Sequence, residues 1–388
     1  MLINFNKPTI IGTEQKYILT SMQKNKISGD GYFTKLCQNW FNKKLNAKLT
    51  LLTPSCTHSL EMAALLLDIK KGDEIIMPSY TFVSTANAFA LRGAKIIFID
   101  INADTMNIDE SRIEDAITQK TKAIVVVHYA GVSCEMDTIM EIANKYNIFV
   151  VEDSAQAIMS KYKDTYLGTI GHIGTYSFHE TKNLTSAGEG GLLIINDNRF
   201  KKRAEIIREK GTNRSQFFRG EIDKYTWVDI GSSYLLNDIS AAFLWGQIQN
   251  AKLITKNRLN TWSIYYKNLK ILEKQGYLKL PFIPKECIHN AHMFYIKLKD
   301  EKTRFNLIKF LRKNGIESCF HYIPLHTSTA GKKYSKFVGE DIHTTKESKK
   351  ILRLPLYFEL SERDTMYIIE RIKTFFKTYD ENKIFVNT

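Results

Sequence analysis

Short apolar runs alternate with amphipathic stretches of helical periodicity between about residues 55 and 200, and this alternation strongly limits the possible fold. The runs cover residues 74–77, 95–99, 123–127, 148–151, 174–178 and 192–195. Apolar strands separated by helical crossovers are typical of a mostly parallel sheet covered by helices on both faces. Gly72 and Gly93 are expected to end two of the helices, because glycine readily adopts the left-handed conformation found there.

The pattern changes after about residue 240. A long helical stretch over residues 239–272 precedes a strand at 292–298, a helix at about 303–313 and a last helix at about 362–379. This order predicts a smaller α+β domain that closes over the first. We expect a large domain over residues 1–245 and a smaller C-terminal α+β domain over residues 246–388.

Composition excludes several classes of protein. The 388 residues are 44% hydrophobic and 25% charged, as in folded soluble proteins, and neither a membrane span nor a secretory signal is apparent, so a cytoplasmic location is expected. The net charge of +14 comes from dispersed lysines and short basic groups, which favours a phosphorylated small substrate or a solvated surface over a nucleic-acid partner. Five scattered cysteines without a C-x-x-C pair predict reduced thiols and no metal site.

Lys182 and Asp153 lie just beyond the ends of two predicted strands and carry the strongest chemical signal. Lys182 precedes the glycine-rich stretch at residues 186–191. Because open α/β sheets place ligands at the carboxyl ends of their strands, the two side chains are expected at one site. Pyridoxal 5′-phosphate (PLP) enzymes need a lysine for a Schiff base and a carboxylate that keeps the pyridine nitrogen protonated. Taken alone, Asp153 could equally cap a following helix.

Candidates for the other PLP contacts are weaker. Thr57 and His58 open an apolar helix, whose N-terminal N–H groups and dipole could hold a phosphate, and Ser177 could donate to it from a strand end. Tyr80 and Phe82 follow another strand, and either ring could stack on a pyridine. Each of these residues also has an ordinary structural explanation, as a helix cap, a strand-end hydroxyl or a core aromatic.

Four motifs occur in a characteristic order: SCT at 55–57, PSYTF at 78–82, EDSAQ at 152–156 and SFHETK at 177–182. With them the chain resembles the DegT/DnrJ/EryC1/StrS family of sugar-nucleotide aminotransferases over nearly its whole length. The resemblance implies an α/β protein of PLP-dependent transferase fold type I, aspartate aminotransferase-like, with a central mostly parallel sheet and a smaller C-terminal α+β domain. It also implies a homodimer with shared active sites.

The resemblance further implies roles for individual residues. Position 58 is usually small in relatives, so only the backbone N–H of His58 is carried over. The implied cofactor contacts are Lys182 as the catalytic lysine that binds PLP, Asp153 at the pyridinium nitrogen, Gln156 near the ring hydroxyl, Phe82 against the ring, Thr57, His58 and Ser177 at the phosphate, and Asn237 at the phosphate of the neighbouring subunit.

Longer runs at 53–67, 127–131, 208–220 and 321–326 resemble enzymes that act on dTDP-4-keto-6-deoxy-D-glucose. They imply that L-glutamate converts PLP to pyridoxamine 5′-phosphate, and that the amino group then passes to C4 to give dTDP-4-amino-4,6-dideoxy-D-galactose for surface polysaccharide. Lys210, Arg214 and Arg219 form a basic segment that suits a pyrophosphate. Tyr322 and His326 are candidates to face the sugar.

Several alternatives stay open. Another keto sugar nucleotide, with a 3-keto group or an equatorial 4-amino product, would use the same cofactor contacts. A related dehydratase would have histidine in place of Lys182, and a non-enzymatic PLP-fold regulator would need a further domain. A dinucleotide-binding protein would need a glycine-rich turn after its first strand, whereas the glycines at 188–191 follow a late one.

Overall fold

Eight strands form one large sheet in the described part of the chain, which in this computed structural model comprises the backbone of residues 2–386 and the side chains of residues 2–378. The strand order is β1-β9-β8-β5-β4-β2-β3-β13. All neighbours are parallel except β9, which runs antiparallel to both β1 and β8. The mostly parallel sheet is therefore confirmed. The strands are β1 (Leu49–Thr53), β2 (Glu74–Pro78), β3 (Lys95–Ile99), β4 (Thr121–Val127), β5 (Phe149–Asp153), β6 (Lys161–Tyr162), β7 (Thr165–Tyr166), β8 (Ile173–Ser177), β9 (Gly191–Ile195), β10 (Leu278–Lys279), β11 (Cys287–Ile288), β12 (Phe294–Leu298), β13 (Ser335–Phe337) and β14 (Ile351–Leu354).

Helices cover both faces of the large sheet. Successive residues of β4 point to opposite sides: Val125 packs in one apolar cluster with helices α3, α4 and α7, whereas Val126 packs in another with α6. Burial on both faces explains why these strands read as continuous apolar runs. The helices are α1 (Glu14–Gln23), α2 (Tyr32–Leu45), α3 (Cys56–Leu66), α4 (Val83–Ala90), α5 (Ile113–Ala116), α6 (Met136–Tyr146), α7 (Asn198–Arg208), α8 (Arg214–Phe218), α9 (Asp238–Gln249), α10 (Ala251–Lys274), α11 (Glu301–Lys313), α12 (Thr329–Tyr334), α13 (Thr344–Ser348) and α14 (Glu362–Val386).

A smaller antiparallel sheet, β10-β12-β14, lies in the C-terminal half. Side chains of α10, α11 and α14, including Tyr265, Leu311 and Ile369, pack against it in a separate apolar cluster. The division into residues 1–245 and 246–388 stays a prediction. Residue 245 falls inside α9, and β13 from the C-terminal half pairs with β3 in the large sheet.

The sequence pattern misjudged some elements. The single helix expected over residues 239–272 is two helices, α9 and α10, because the backbone leaves helical geometry at Asn250, where φ is −109° and ψ is 11°. Strands β1 and β13 were not anticipated. Gly93 has the expected positive φ, 86°, in the turn that ends α4. The prediction for Gly72 was wrong: α3 already ends at Leu66, and Gly72, with a φ of 99°, lies in a separate turn before β2. No helix among the described residues is long and apolar enough to cross a membrane.

Candidate active site

A cavity of about 510 Å³ opens at the carboxyl ends of β2, β5 and β8 and is closed on one side by β14 of the smaller sheet. Residues from distant parts of the chain therefore meet on its wall. Of the residues singled out from the sequence, the wall contains Thr57, Phe82, Asp153, Gln156, Ser177, Lys182 and Tyr322.

Asp153 ends β5 and is only 5% exposed. Its Oδ2 accepts a hydrogen bond from Thr85 Oγ1 at 2.7 Å, and its Oδ1 accepts one from the Ala155 N–H at 3.1 Å. A turn rather than a helix follows, so Asp153 is not a helix cap. Burial raises the pKa of Asp153, while the hydroxyl of Thr85, the Ala155 N–H and the charge of Lys182 oppose that rise. Such a carboxylate suits a buried cationic partner.

Lys182 lies in the loop between β8 and β9, where its backbone N–H donates to the His179 carbonyl oxygen at 2.9 Å. Its side chain is held among the walls of the cavity, and this burial lowers the pKa of Lys182. The negative charge of Asp153 opposes the shift, and the positive charge of Arg353 adds to it. A lysine with a lowered pKa reaches its neutral, nucleophilic form more readily.

The N-terminus of α3 points its first turn at the cavity. Ser55 caps this helix by accepting the His58 N–H at 3.2 Å, and its hydroxyl also contacts His58 Nδ1 at 2.9 Å. Thr57 donates to Ser84 Oγ at 2.8 Å and lies on the cavity wall together with Ser55 and Ser177. His58 does not line the cavity and its N–H already has a partner, so its contact with a phosphate stays a prediction.

Phe82 and Gln156 both lie on the cavity wall. Phe82 is 56% exposed and lies on the wall, whereas Tyr80 is fully buried and does not line the cavity. Gln156 accepts the Ala130 N–H at 2.7 Å and donates from Nε2 to Tyr322 Oη at 3.2 Å. The two hydrogen bonds fix the orientation of the Gln156 amide beside the carboxylate of Asp153.

The basic segment does not reach the cavity within one chain. Lys210, Arg214 and Arg219 are absent from the wall, and Arg219 forms ion pairs with Glu205 at 3.0 Å and Glu221 at 2.6 Å. Their contact with a substrate stays a prediction.

Asn237 and His326 also lie outside the cavity wall. Asn237 is exposed and caps α9 by accepting the Ser240 N–H at 2.9 Å. His326 is held between Ser79 Oγ at 2.6 Å and Asp341 Oδ2 at 3.2 Å. In this conformation His326 joins a loop of the C-terminal half to the end of β2.

Arg353 on β14 is the main residue of the cavity that the sequence pattern did not indicate. Its guanidinium group lies 4.8 Å from the ring centroid of Phe5. Its buried Nε has no hydrogen-bond partner within the described part of the chain. In the sequence, the only indication of a functional role for Arg353 is that it is a charged residue within an otherwise apolar strand, residues 351–354. Arg353 is thus a cation in the cavity that is available to an anionic ligand.

Two histidines of the wall, His292 and His321, were likewise not assigned. His321 contacts Tyr129 Oη through Nδ1 at 3.1 Å. Burial lowers the pKa of both imidazoles, and the positive charges of Arg353 and Lys182 lower it further. The cavity therefore presents neutral imidazoles beside Arg353 and Lys182.

Comparison with known proteins places this site in a defined class. Residues 8–373 match the DegT/DnrJ/EryC1/StrS aminotransferase family, and the chain belongs to that family. It is 31% identical over 373 residues to GDP-perosamine synthase of Escherichia coli O157:H7, which covers 95% of this chain and 97% of that protein.

Two solved structures show the same architecture. The aminotransferase TlmJ from Streptoalloteichus hindustanus superimposes with a TM-score of 0.89 at 26% identity, covering 98% of this chain and 100% of that one. The PLP form of the putative sugar aminotransferase Spr1654 from Streptococcus pneumoniae gives a TM-score of 0.86 at 26% identity, with 96% and 98% coverage. The fold type I prediction, the PLP cofactor and the aminotransferase class are confirmed.

The residues of the cavity fit this cofactor. Asp153 supplies a buried carboxylate, Lys182 an amine of lowered pKa, and the N-terminus of α3 a group of N–H and hydroxyl donors suited to a phosphate.

Proposed function

We propose that this PLP-dependent sugar aminotransferase transfers the amino group of L-glutamate to C4 of dTDP-4-keto-6-deoxy-D-glucose, forming dTDP-4-amino-4,6-dideoxy-D-galactose for surface polysaccharide. The meeting of Lys182 and Asp153 in one cavity is the observation that supports transamination. The choice of sugar is supported by the sequence runs at 53–67 and 208–220, which resemble enzymes of that specificity.

PLP, when bound, supplies an electron sink for the carbon that carries the amino group. In our proposal Asp153 keeps the pyridine nitrogen protonated, because its buried carboxylate needs a cationic partner. Lys182 Nζ moves a proton between the donor carbon and the cofactor, and later delivers one to the sugar at C4. Its lowered pKa suits this work as a general base and acid near neutral pH.

We propose the other cofactor contacts from the positions of the residues on the cavity wall. Thr57 and Ser177, with the N-terminal turn of α3, hold the phosphate, and Phe82 lies against the ring. Gln156 approaches the ring hydroxyl with its amide fixed by Ala130 and Tyr322.

We assign Arg353 to a carboxylate of L-glutamate. The Nε of its guanidinium has no hydrogen-bond partner among the described residues, and it lies on the same wall as Lys182. A guanidinium can bind a carboxylate through two parallel hydrogen bonds, which also orients the ligand. The donor would thereby be held with its reacting carbon toward Lys182.

A second copy of the chain completes the site in this proposal. Large apolar side chains between residues 217 and 230 are exposed, among them Phe218 at 68% and Trp227 at 75%, and an exposed group of this size is typical of an interface. Asn237 and the basic residues Lys210, Arg214 and Arg219 belong to the same region and do not reach their own cavity. We propose that they serve the neighbouring one.

Product analysis tests the choice of substrate. The purified holoenzyme is incubated with L-glutamate and dTDP-4-keto-6-deoxy-D-glucose, and NMR of the product is expected to show an axial amine at C4. A GDP-linked keto sugar is the second candidate, because of the 31% identity to GDP-perosamine synthase. A higher kcat/KM for a GDP-linked substrate, an equatorial amine or an amine at C3 would each contradict the dTDP proposal while leaving the aminotransferase class intact.

A further inference from the structure

Asn183, the residue that follows Lys182, is 2% exposed and has both ends of its amide bound. Nδ2 donates to the Asn290 carbonyl oxygen at 2.9 Å. Oδ1 lies 3.0 Å from His292 Nδ1. The carbonyl group of Asn290 can only accept, so the orientation of the Asn183 amide is determined, with its oxygen toward the imidazole.

This orientation also determines the tautomer of His292. Because Asn183 Oδ1 accepts, Nδ1 of His292 must carry the hydrogen. Burial and the charges of Lys182, Arg258 and Arg353 lower the pKa of His292, so the imidazole is neutral and Nε2 is without a proton. His292 thus donates a hydrogen bond from Nδ1 to Asn183, and it also lies on the wall of the cavity.

The segment that carries His292 is fixed to several other parts of the molecule. Asn290 donates from Nδ2 to the carbonyl oxygens of Gln156 at 2.9 Å and Ile158 at 2.8 Å, in the loop that follows Asp153. Arg258 of α10 donates to the carbonyl oxygen of His292 at 2.7 Å.

The same segment leads directly into β12, whose Phe294 is paired with Leu354 of β14. The neighbouring residue of β14 is Arg353. A rigid connection therefore runs from the loop of Lys182, through Asn183 and His292, to the strand of Arg353.

We propose that His292 is a positioning residue for the transamination, and that its Nδ1–H bond to Asn183 holds the Lys182 loop in register with the strand that carries Arg353. The inference rests on the proposed role of Lys182 as the lysine that binds PLP. Loss of this bond would let Lys182 shift relative to the donor, and a misplacement of about 1 Å can cost about 100-fold in rate.

The variants His292→Asn and His292→Leu separate this positioning role from a direct role of His292 Nε2 in the reaction. Asparagine retains a donor close to the position of Nδ1 and loses the Nε2 position, whereas leucine loses both. We expect His292→Asn to keep kcat within about threefold and His292→Leu to lower it roughly 10–100-fold. The pH at which the absorbance of the bound cofactor changes should move in His292→Leu and stay in place in His292→Asn.

Asn183→Ala provides a second route to the same bond. If the two residues act through one hydrogen bond, the double variant Asn183→Ala/His292→Leu is no slower than the slower single variant. An equal loss of kcat in His292→Asn and His292→Leu would show a direct role of Nε2 and overturn the proposal. A wild-type kcat and pH profile in His292→Leu would overturn it as well. If His292→Leu does not fold, His292→Asn is compared with Asn183→Ala. A kcat that falls only in Asn183→Ala supports the proposal, and an equal kcat in the two variants overturns it.

Borohydride reduction distinguishes a failure of this inference from a failure of its premise. A label on a lysine other than Lys182 would remove the premise. A label on Lys182 combined with unaffected His292 variants would overturn the positioning role alone.

Discussion

Thr85 donates its hydroxyl hydrogen to Oδ2 of Asp153 at 2.7 Å, with Thr85 fully buried and Asp153 only 5% exposed. Because that hydrogen is committed to Asp153, Thr85 Oγ1 accepts from Thr81 Oγ1, 2.8 Å away. A short chain of hydroxyls thus orients the carboxylate that we place opposite the pyridine nitrogen. Asp153 is held in one direction before any ligand arrives, which is what a preorganised electrostatic contact requires.

The variant Asp153→Asn tests this contact. The amide has nearly the same shape but cannot keep a ring nitrogen protonated, so we expect kcat to fall by about 10²–10³-fold. Thr85→Val removes one hydrogen bond to this charged carboxylate, worth about 1.5–3 kcal/mol, and should lower kcat by about tenfold or more. Steady-state kinetics with L-glutamate measures both. An Asp153→Asn enzyme within threefold of wild type would contradict the assignment.

Replacing Arg353 tests the binding of the amino donor. A hydrogen bond to a charged group contributes about 1.5–3 kcal/mol, so Arg353→Gln should raise the KM for L-glutamate roughly 10–150-fold. The KM for the sugar nucleotide should change little, and Arg353→Lys should be intermediate because it keeps the charge and loses the planar fork. Arg199→Gln, which removes an exposed ion pair with Asp197, is the matched control. A larger effect on the sugar KM than on the glutamate KM would exclude this role.

Mixing two inactive variants tests the shared site. Lys182→Ala removes the proposed catalytic amine. Asn237→Asp retains a good helix cap for α9 and places a negative charge where a neighbouring phosphate is expected. In a mixed dimer one site carries both substitutions and the other carries neither.

We therefore expect the mixture, after subunit exchange, to recover up to about a quarter of wild-type activity on the statistics of random pairing. A mixture that stays as inactive as its parents, with exchange shown by native mass spectrometry, would mean that Asn237 serves its own chain. Asn237→Ser, which retains the cap without the charge, is the control.

Buried Lys297 gives a prediction about stability and pH. Its Nζ donates to the Ala103 carbonyl oxygen and lies 3.5 Å from Glu347, and burial lowers the pKa of Lys297 from 10.5 to about 8. Between these two pH values the unfolded chain binds more protons than the folded one, so this residue makes the free energy of unfolding rise with pH. This residue can change the free energy of unfolding by at most about 3 kcal/mol across this pH range.

Lys297→Met should therefore raise Tm at pH 7.5, and its advantage over wild type should shrink by pH 9.5. Glu347 keeps Lys350 as a partner at 2.6 Å, which limits the loss from the substitution. Thermal unfolding of both proteins at the two pH values measures the difference. An advantage that grows with pH would contradict the sign of the shift.

The sequence alone was sufficient to predict that Lys182 and Asp153 meet in one cavity, because both follow strands of a parallel sheet, where chain direction fixes the edge on which ligands bind. The order of the strands, the two antiparallel neighbours of β9 and the addition of β13 could not be predicted, since they depend on long-range pairing rather than on local periodicity.

Arg353 and His292 were missed for a related reason. They lie on or next to strands of the smaller sheet and reach the cavity only through tertiary packing. His326 differs from them: its position near a turn suggested a substrate contact, and in the structure Ser79 and Asp341 hold its ring outside the cavity wall, so that contact stays a prediction. Local sequence identified the groups that could act, and packing determined which of them meet.

Reduction of the holoenzyme with borohydride, followed by peptide mass spectrometry, tests the central assignment most directly. The reagent fixes PLP to the lysine that carries it. We predict a pyridoxyl label on the peptide that contains Lys182, and neither a label nor measurable turnover in Lys182→Ala. A label on a different lysine, or steady-state turnover retained by Lys182→Ala, would contradict the account.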